Sequence, residues 1–498
     1  MSRIVHWVDG EYYEGTPTGT VPVENPGTGE KIGELLTASR EDLDHVVDVA
    51  RRAQKEWAAT PLSKRTQIMF RMRELVVANQ DRLAKATVEE HGKNYLDAIG
   101  EIERGRETLD FACGIGAALK GEFTSDASRG IDVHSLRQPV GVVAGICPFN
   151  FPVMVPMWMH PVALATGNAF ILKPASATPT ASLIVAELYK EAGLPDGLFN
   201  VLSGTRDMVT EILEHPGINA ISFVGSTPVA HIVQEVGTRN GKRVQALGGA
   251  NNHGIVMPDA DLDFTAAHLS AAAFGAAGER CMALPVAVAV GGIGEELAKK
   301  VAEKGAAIKV GYGMGDGVEM GPVITAKDKD RIVGLIDDAE SRGATVVLDG
   351  RSLVVEGHEA GHFVGPTVVT GVPLDSPLYT EEVFGPVLVI VEAESYEEAI
   401  DLVNASPFGN GAAIFTNDGG TARRFTLDVE AGMVGVNVPI PTPVAYYSFG
   451  GWKESLLGDQ HIHGPEGVRF YTRAKVVTER WPSESGLYSA SMSFKRED

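Results

Sequence analysis

Between residues 40 and 120, apolar residues recur three and four positions apart, as at Leu43, Val46, Val47 and Ala50 and again at Ile68, Leu75 and Leu83. This spacing predicts several amphipathic helices. From about residue 140 the pattern changes to short apolar or β-branched runs separated by helical stretches: Gly-Val-Val-Ala-Gly-Ile at 141–146, Ala-Phe-Ile-Leu-Lys-Pro at 169–174, Leu-Phe-Asn-Val-Leu at 198–202 and Ala-Ile-Ser-Phe-Val-Gly at 220–225. Strands that alternate with helices predict βαβ units and a parallel sheet. A second such block runs from about 250 to 440, with strands expected at Val286–Val290, Val364–Val369 and Val387–Glu392, and predicts a second α/β domain. Gly130–Arg137 and Val468–Val477 read as strands outside both blocks, expected to extend from the body as an oligomer contact. No internal repeat or low-complexity segment interrupts the pattern.

Phe151–Leu172 contains no Asp, Glu, Lys or Arg and is long enough to cross a bilayer. Pro152, Pro156, Pro161 and His160 argue instead for a buried helix entered through a proline-rich turn, with the prolines toward its start, where a missing N–H costs least. The whole chain has 498 residues, 44% apolar and 22% charged, enough for two or more domains with substantial cores. A formal charge of −22 argues against nucleic acid as a partner and makes any nucleotide or CoA site a local exception. Cys113, Cys147 and Cys281 have no CxxC spacing and no His cluster beside them, so no metal site is expected and a reducing compartment is. The N-terminal residues lack the apolar core of a signal peptide, which makes the cytoplasm the expected location, with no membrane partner.

Four places carry candidate chemistry. Cys281 lies in Gly-Ala-Ala-Gly-Glu-Arg-Cys-Met-Ala (275–283), a soft nucleophile beside the fixed charge of Arg280, suited to covalent attack on a small electrophile that bears an anionic group. Ile221-Ser-Phe-Val-Gly-Ser-Thr-Pro reads as strand, turn and helix start, with Ser226 or Thr227 as cap and free N–H groups for a phosphate. A full GxGxxG fingerprint is absent, so any dinucleotide site is not of the usual Rossmann type. Lys173 ends an apolar strand, where its ammonium reaches a ribose hydroxyl or phosphate, or is simply solvated. Asn150, in Cys-Pro-Phe-Asn-Phe-Pro, is either a turn former or an amide aimed at an oxyanion. Spacing alone leaves these alternatives open.

Taken in order, Pro148-Phe-Asn-Phe-Pro, Ile171-Leu-Lys-Pro, Phe223-Val-Gly-Ser-Thr, Leu247-Gly-Gly, the Cys281 segment and Glu381-Glu-Val-Phe-Gly-Pro resemble the aldehyde dehydrogenase superfamily over nearly the whole chain. Met154-Val-Pro-Met-Trp-Met-His-Pro-Val-Ala, Gly278-Glu-Arg-Cys-Met-Ala and Phe449-Gly-Gly-Trp-Lys-Glu-Ser are similar to its CoA-acylating methylmalonate-semialdehyde (malonate-semialdehyde) dehydrogenase branch. The resemblance implies an aldehyde-dehydrogenase-like α/β fold: two α/β domains with parallel-type sheets plus a small β oligomerisation arm. It implies an NAD-binding domain over 1–120 and 140–247, a catalytic domain over 248–445, and an oligomerisation arm and tail over 121–139 and 446–498. It further implies Cys281 as nucleophile, Asn150 and the Cys281 N–H as oxyanion hole, and cofactor contacts at Cys147 (through the main chain), Phe149, Lys173, Ser176, Ala177, Ser226, Gly248, Glu382 and Phe384. Arg280 and, by the same resemblance, Arg104 are expected to clamp a substrate carboxylate, and the assembly is expected to be a homotetramer or homodimer.

Two steps go beyond resemblance. Hydrolytic members of the superfamily carry a Glu general base just before Leu-Gly-Gly, where this chain has Ala246, so water attack on a Cys281 thioester should be slow and an incoming thiol, CoA, should take the acyl group. Many members also carry a Glu that binds the adenosine ribose where this chain has Ser176; its loss makes NADP less unfavourable beside the first choice, NAD. Asn251 stands where the branch usually has Lys. The expected activity is oxidative, CoA-acylating decarboxylation of methylmalonate or malonate semialdehyde to propionyl-CoA or acetyl-CoA. The alternatives are a non-acylating NAD(P)-dependent dehydrogenase of a succinate-semialdehyde or sulfo-aldehyde type, and a retired fold used as a structural or binding protein.

Overall fold

Runs with no polar face to turn outward suit a sheet covered by helices on both sides. In the computed structural model, which describes residues 2–481, the strands Val142–Ile146, Ala169–Lys173, Phe199–Val201 and Ala220–Val224 are wholly buried. With Arg243–Leu247 they pair in parallel as the centre of an eight-stranded sheet. Leu456–Leu457 closes one edge antiparallel, and His6–Val8 and Glu11–Tyr13 close the other. The chain runs outward from Val142–Ile146 through Ala169–Lys173 to Phe199–Val201, then returns to the opposite side of Val142–Ile146 with Ala220–Val224. That reversal opens a crevice beyond the carboxyl ends of Val142–Ile146 and Ala220–Val224, where open α/β sheets bind ligands.

A second, seven-stranded sheet holds its own apolar core. Its order is Thr345–Leu348, Thr367–Thr370, Val387–Ala393, Val286–Val290, His253–Val256, Gly411–Phe415 and Met433–Val436, parallel except at the Thr345–Leu348 edge. The strand expected at Val364–Val369 is Thr367–Thr370, because Gly365-Pro366 ahead of it cannot extend a ladder.

Phe123–Ser128, Ile131–Pro139 and Thr472–Glu479 form a separate antiparallel sheet. Here the expectation of a strand over Val468–Val477 is corrected. Val468–Tyr471 ends the helix Gly464–Tyr471, which opens on left-handed His463 and Gly464 with Pro465 in its first turn, and the strand begins at Thr472. The part of the assigned tail beyond residue 481 lies outside the described residues.

The uncharged stretch Phe151–Leu172 is likewise two elements. A fully buried helix, Met154–Ala165, ends at the turn Thr166–Asn168, and the strand Ala169–Lys173 follows. Pro161 lies inside that helix rather than near its start, removing the donor that would reach the Met157 carbonyl. Among the described residues no helix is long and apolar enough to cross a membrane.

Candidate active site

The chain leaves Ile146 as Cys147-Pro148-Phe149-Asn150 and leaves Val224 as Gly225-Ser226, so both loops enter the crevice from adjacent strands paired at Ile146 and Phe223. They line a cavity of about 470 Å³ together with Gly248, Cys281, Glu382 and Phe384. Eight of the expected site residues, Cys147, Phe149, Asn150, Ser226, Gly248, Cys281, Glu382 and Phe384, are thus brought together from five segments. Lys173, Ser176 and Ala177 are not in its walls, although their neighbour Ala175 is. Lys173 is buried, its ammonium donates to the Pro174 carbonyl at 3.0 Å, and burial lowers its pKa to about 8. Ser226 is the N-cap of helix Thr227–Arg239 but makes no side-chain capping hydrogen bond; Pro228 has no N–H and Val229 donates to the Ser226 carbonyl at 3.1 Å, which leaves the Thr227 N–H of the first turn for an anion. A larger groove of about 740 Å³ beside Glu295, Lys299 and Glu392 carries none of the candidate residues, so size alone does not mark the site.

Cys281 stands between helix Leu262–Phe274 and strand Val286–Val290, at the end of a turn in which Ala276, Ala277 and Gly278 are all left-handed (φ 50°, 53° and 72°). A Cβ on Gly278 would sit 2.0 Å from the Gly385 carbonyl oxygen, so that position must be glycine. Two amides fix the turn: Asn252 Nδ2 and Asn410 Nδ2 donate to the Cys281 carbonyl at 2.9 and 3.0 Å. Burial raises the Cys281 thiol to about 12, the Glu382 carboxylate adds to the rise, and nearby backbone N–H groups and Arg280 oppose it. The resting group is therefore a thiol. Phe384, itself at φ 47°, meets Phe149 edge to face with ring centres 5.9 Å apart. These two aromatic rings form part of the cavity wall.

Asn150 is held from behind. Its side-chain amide donates to the Glu279 carbonyl at 3.0 Å and its own carbonyl accepts from Lys93 Nζ at 2.6 Å. Lys93 also donates to Glu101 at 2.7 Å, both side chains fully buried, and Glu101 accepts from the N–H groups of Val153 and Met154. An amide carries two N–H donors, so one remains for an oxyanion.

On its other side Cys281 borders a second cavity, of about 250 Å³, lined by Arg104, Arg280, Phe151, Met154, Trp158 and Phe449 among others. The Arg280 guanidinium donates to Asp97 at 2.9 Å; Arg104 donates to Glu107 at 2.8 Å and to the Thr442 carbonyl at 3.1 Å. Both arginines expected at a substrate carboxylate therefore flank one apolar chamber that ends on Cys281.

A family model described as the aldehyde dehydrogenase family covers residues 12–477. The chain belongs to the aldehyde dehydrogenase family. It is 48% identical to a malonate-semialdehyde dehydrogenase of Pseudomonas aeruginosa over 99% of both chains. It is 46% identical to malonate-semialdehyde dehydrogenase 2 of Geobacillus kaustophilus over 97% of this chain and 99% of that one. Among solved structures, a methylmalonate-semialdehyde dehydrogenase from Oceanimonas doudoroffii is 48% identical with a TM-score of 0.96, over 97% of this chain and 99% of that one. A provisionally named methylmalonate-semialdehyde dehydrogenase from Sinorhizobium meliloti 1021, complexed with NAD, gives 0.96 at 47% identity with the same coverage.

Within this aldehyde dehydrogenase, Ala246 is fully buried in strand Arg243–Leu247 and lines neither cavity. Glu279, two residues before the cysteine, also lines neither. Its carboxyl accepts from the Ile324 N–H at 3.0 Å, its other oxygen lies 3.8 Å from His91 Nε2, and burial holds it well above the usual carboxylate range. Asn251 spends its amide on the Tyr379 carbonyl at 2.7 Å. Sequence reasoning missed Lys93, Glu101, Asn252, Asn410 and Arg331. Asn252 lies just after a motif that was read, Leu247-Gly-Gly, and Asn410 in an unread Gly-Asn-Gly, but buried amides that bind carbonyls leave no spacing signal.

Proposed function

We propose that this aldehyde dehydrogenase converts malonate semialdehyde or methylmalonate semialdehyde to acetyl-CoA or propionyl-CoA, with NAD as oxidant and loss of the substrate carboxylate. The observation that carries the substrate class is the 250 Å³ chamber: Cys281 at its end, apolar walls, and the guanidinium groups of Arg280 and Arg104. A carboxylate separated from the attacked carbonyl by a single carbon pairs with such a clamp through charge-assisted hydrogen bonds. The malonate- and methylmalonate-semialdehyde dehydrogenases to which the chain is 46–48% identical support the same class.

The larger cavity suits a dinucleotide: the start of helix Thr227–Arg239 with the Thr227 N–H open for phosphate, glycine at 248, and the rings of Phe149 and Phe384 to pack against a flat ring. NAD, when bound, supplies the hydride acceptor. The Cys281 thiol gives up its proton to water and its sulfur adds to the aldehyde carbon. Asn150 Nδ2 and the Cys281 N–H receive the oxyanion, and a thioester remains on Cys281 once hydride has left. With Ala246 offering no base, water is a poor acceptor and the thiol of CoA takes the acyl group. Before that transfer the carboxylate β to the thioester carbonyl leaves as carbon dioxide or bicarbonate, its electrons passing into an enolate that is held by the same donors and takes a proton from water at its α-carbon. Ser176 presents no carboxylate against a ribose phosphate, so NADP is less disfavoured beside NAD, which remains the oxidant of first choice. We assign the protein to the cytoplasm as a homo-oligomer, with the sheet of Phe123–Ser128, Ile131–Pro139 and Thr472–Glu479 as its arm and 140–247 and 248–445 as cores of its two domains.

The test is NADH formation from methylmalonate semialdehyde and NAD, with and without CoA, with the product identified. Sustained turnover only with CoA, yielding propionyl-CoA, supports the proposal. Equal turnover without CoA, yielding free acid, refutes the acylating assignment and favours the non-acylating alternative.

A further inference from the structure

The proposed acyl transfer contains a proton problem. The thiol of CoA must lose a proton to attack, and an ordinary thiol, with a pKa of about 8.5, is only a few per cent thiolate at neutral pH. The departing group, Cys281, sits where burial holds its thiol far above that value, so it leaves poorly as a bare thiolate. One group that accepts the first proton and returns it to Cys281 solves both difficulties.

We propose that Glu382 is that group: a general acid–base for thiol-to-thioester exchange at Cys281. This deepens the acylating reading and rests on it. Glu382 and Cys281 line the same 470 Å³ cavity, and apart from cysteines the only other ionisable side chain in that wall is Arg331. Arg331 is a permanent cation that donates to the Val383 carbonyl at 2.6 Å and serves as no base. On the opposite side of Cys281 both carboxylates are committed, Asp97 to Arg280 and Glu101 to Lys93 and two backbone N–H groups. Glu279 opens on neither chamber. One oxygen of Glu382 accepts from the Ala250 N–H at 3.1 Å, which fixes the carboxyl and leaves the second oxygen to exchange a proton. Burial raises Glu382 to about 7, against the opposing effects of the Ala250 N–H and Arg331, and the carboxylate in turn raises Cys281. A base near the working pH transfers protons best in both directions.

The step balances. The S–H proton of CoA passes to Glu382, and the CoA sulfur bonds to the thioester carbon, placing charge on the oxygen held by Asn150 and the Cys281 N–H. As that tetrahedral adduct collapses, the bond from carbon to Cys281 Sγ breaks and Glu382 returns the proton to sulfur. No electrons are gained or lost.

The test avoids the dinucleotide altogether. The enzyme is acylated to completion with p-nitrophenyl propionate, freed of excess ester and mixed with CoA, and propionyl-CoA is followed against pH. In the wild type the rate rises to a plateau as a group near 7 loses its proton. Glu382→Gln is expected to slow the transfer by roughly 10²–10⁴-fold and to abolish that limb, while Glu382→Asp restores part of the rate with the limb intact. The extent of acylation shows whether each variant retains a folded site. Transfer by Glu382→Gln at the wild-type rate, or persistence of the limb in that variant, overturns the proposal. If the wild-type acyl-enzyme is lost to water with no effect of CoA, the acylating function itself falls and takes the proposal with it, a result distinct from failure of Glu382 alone.

Discussion

Replacing Arg280 by Met should separate acidic from neutral aldehydes. The Arg280 side chain is 20% exposed and its partner Asp97 is 25% exposed, so a carboxylate arriving in the chamber meets a largely desolvated guanidinium. A hydrogen bond to a charged group contributes about 1.5–3 kcal/mol, and at 1.36 kcal/mol per decade its loss lowers kcat/KM roughly 10- to 150-fold. Propanal, which has no carboxylate, should lose no more than about threefold. Asp97 retains the N–H of Ala276 at 3.2 Å and Asn94 Nδ2 at 3.0 Å, so the turn before Cys281 keeps an anchor without Arg280. Arg104, 40% exposed and already paired with Glu107, should cost less, about tenfold or below, when changed to Met. The assay is initial-rate NADH formation with both aldehydes at saturating CoA. Equal losses with the two substrates would refute the clamp and make Arg280 a strut for the loop that carries the cysteine.

Glu101→Ala leaves Lys93 buried without its counter-ion and strips two N–H groups of their acceptor, a change worth about 3–5 kcal/mol, visible as a lower urea midpoint together with weakened activity through Asn150. Glu90, buried and raised to about 8 from 4.5 chiefly by loss of hydration, holds its proton in the folded chain over a range where the unfolded chain has lost it. Its stabilising contribution is therefore full below about pH 4.5 and disappears as the pH rises through 8, with a slope of up to ~1.4 kcal/mol per pH unit. Glu90→Gln should flatten that part of the stability curve measured by denaturation at pH 5, 6.5 and 8. Ser176→Glu should lower kcat/KM for NADP at least about tenfold relative to NAD, by repulsion between the carboxylate and the ribose phosphate. An unchanged ratio would mean that residue 176 does not meet the ribose.

Much of the fold was legible because its central strands are short apolar runs without alternation, such as Val142–Ile146 and Val286–Val290, which only a two-sided burial explains. Where the pattern misled, competing local signals were present. The apolar stretch after Phe151 is cut by Thr166-Gly-Asn, a turn sequence with Gly167 at φ 100°, and Gly464-Pro465 announces a helix start ahead of Val468. Hydrophobicity alone joined across both. The left-handed backbone at Ala276, Ala277 and Phe384 had no such signal, since these are residues that disfavour it and only the folded surroundings hold them there.

The candidate nucleophile and the amide beside it were legible for a different reason from their support. Cys281 and Asn150 sit in short motifs, whereas what aims them is dispersed: Lys93 and Glu101 on one face, Glu279 on another, Asn252 and Asn410 on a third. A lysine and a glutamate eight residues apart look in the sequence like solvated helix charges. Their burial to zero exposure is affordable only because each charged atom finds a partner, Lys93 on Glu101 and the Asn150 carbonyl, Glu101 on Lys93 and the N–H groups of Val153 and Met154. It follows that the orientation of Asn150 depends on a closed set of contacts, so removing one of those partners should act as strongly as a change at Asn150 itself. Lys93→Met illustrates the point: it removes no group from either cavity, yet it frees the Asn150 carbonyl and leaves Glu101 an unpaired buried anion. A fall in kcat with KM for the aldehyde nearly unchanged is the signature expected when an oxyanion donor is misaligned while the binding chamber stays intact.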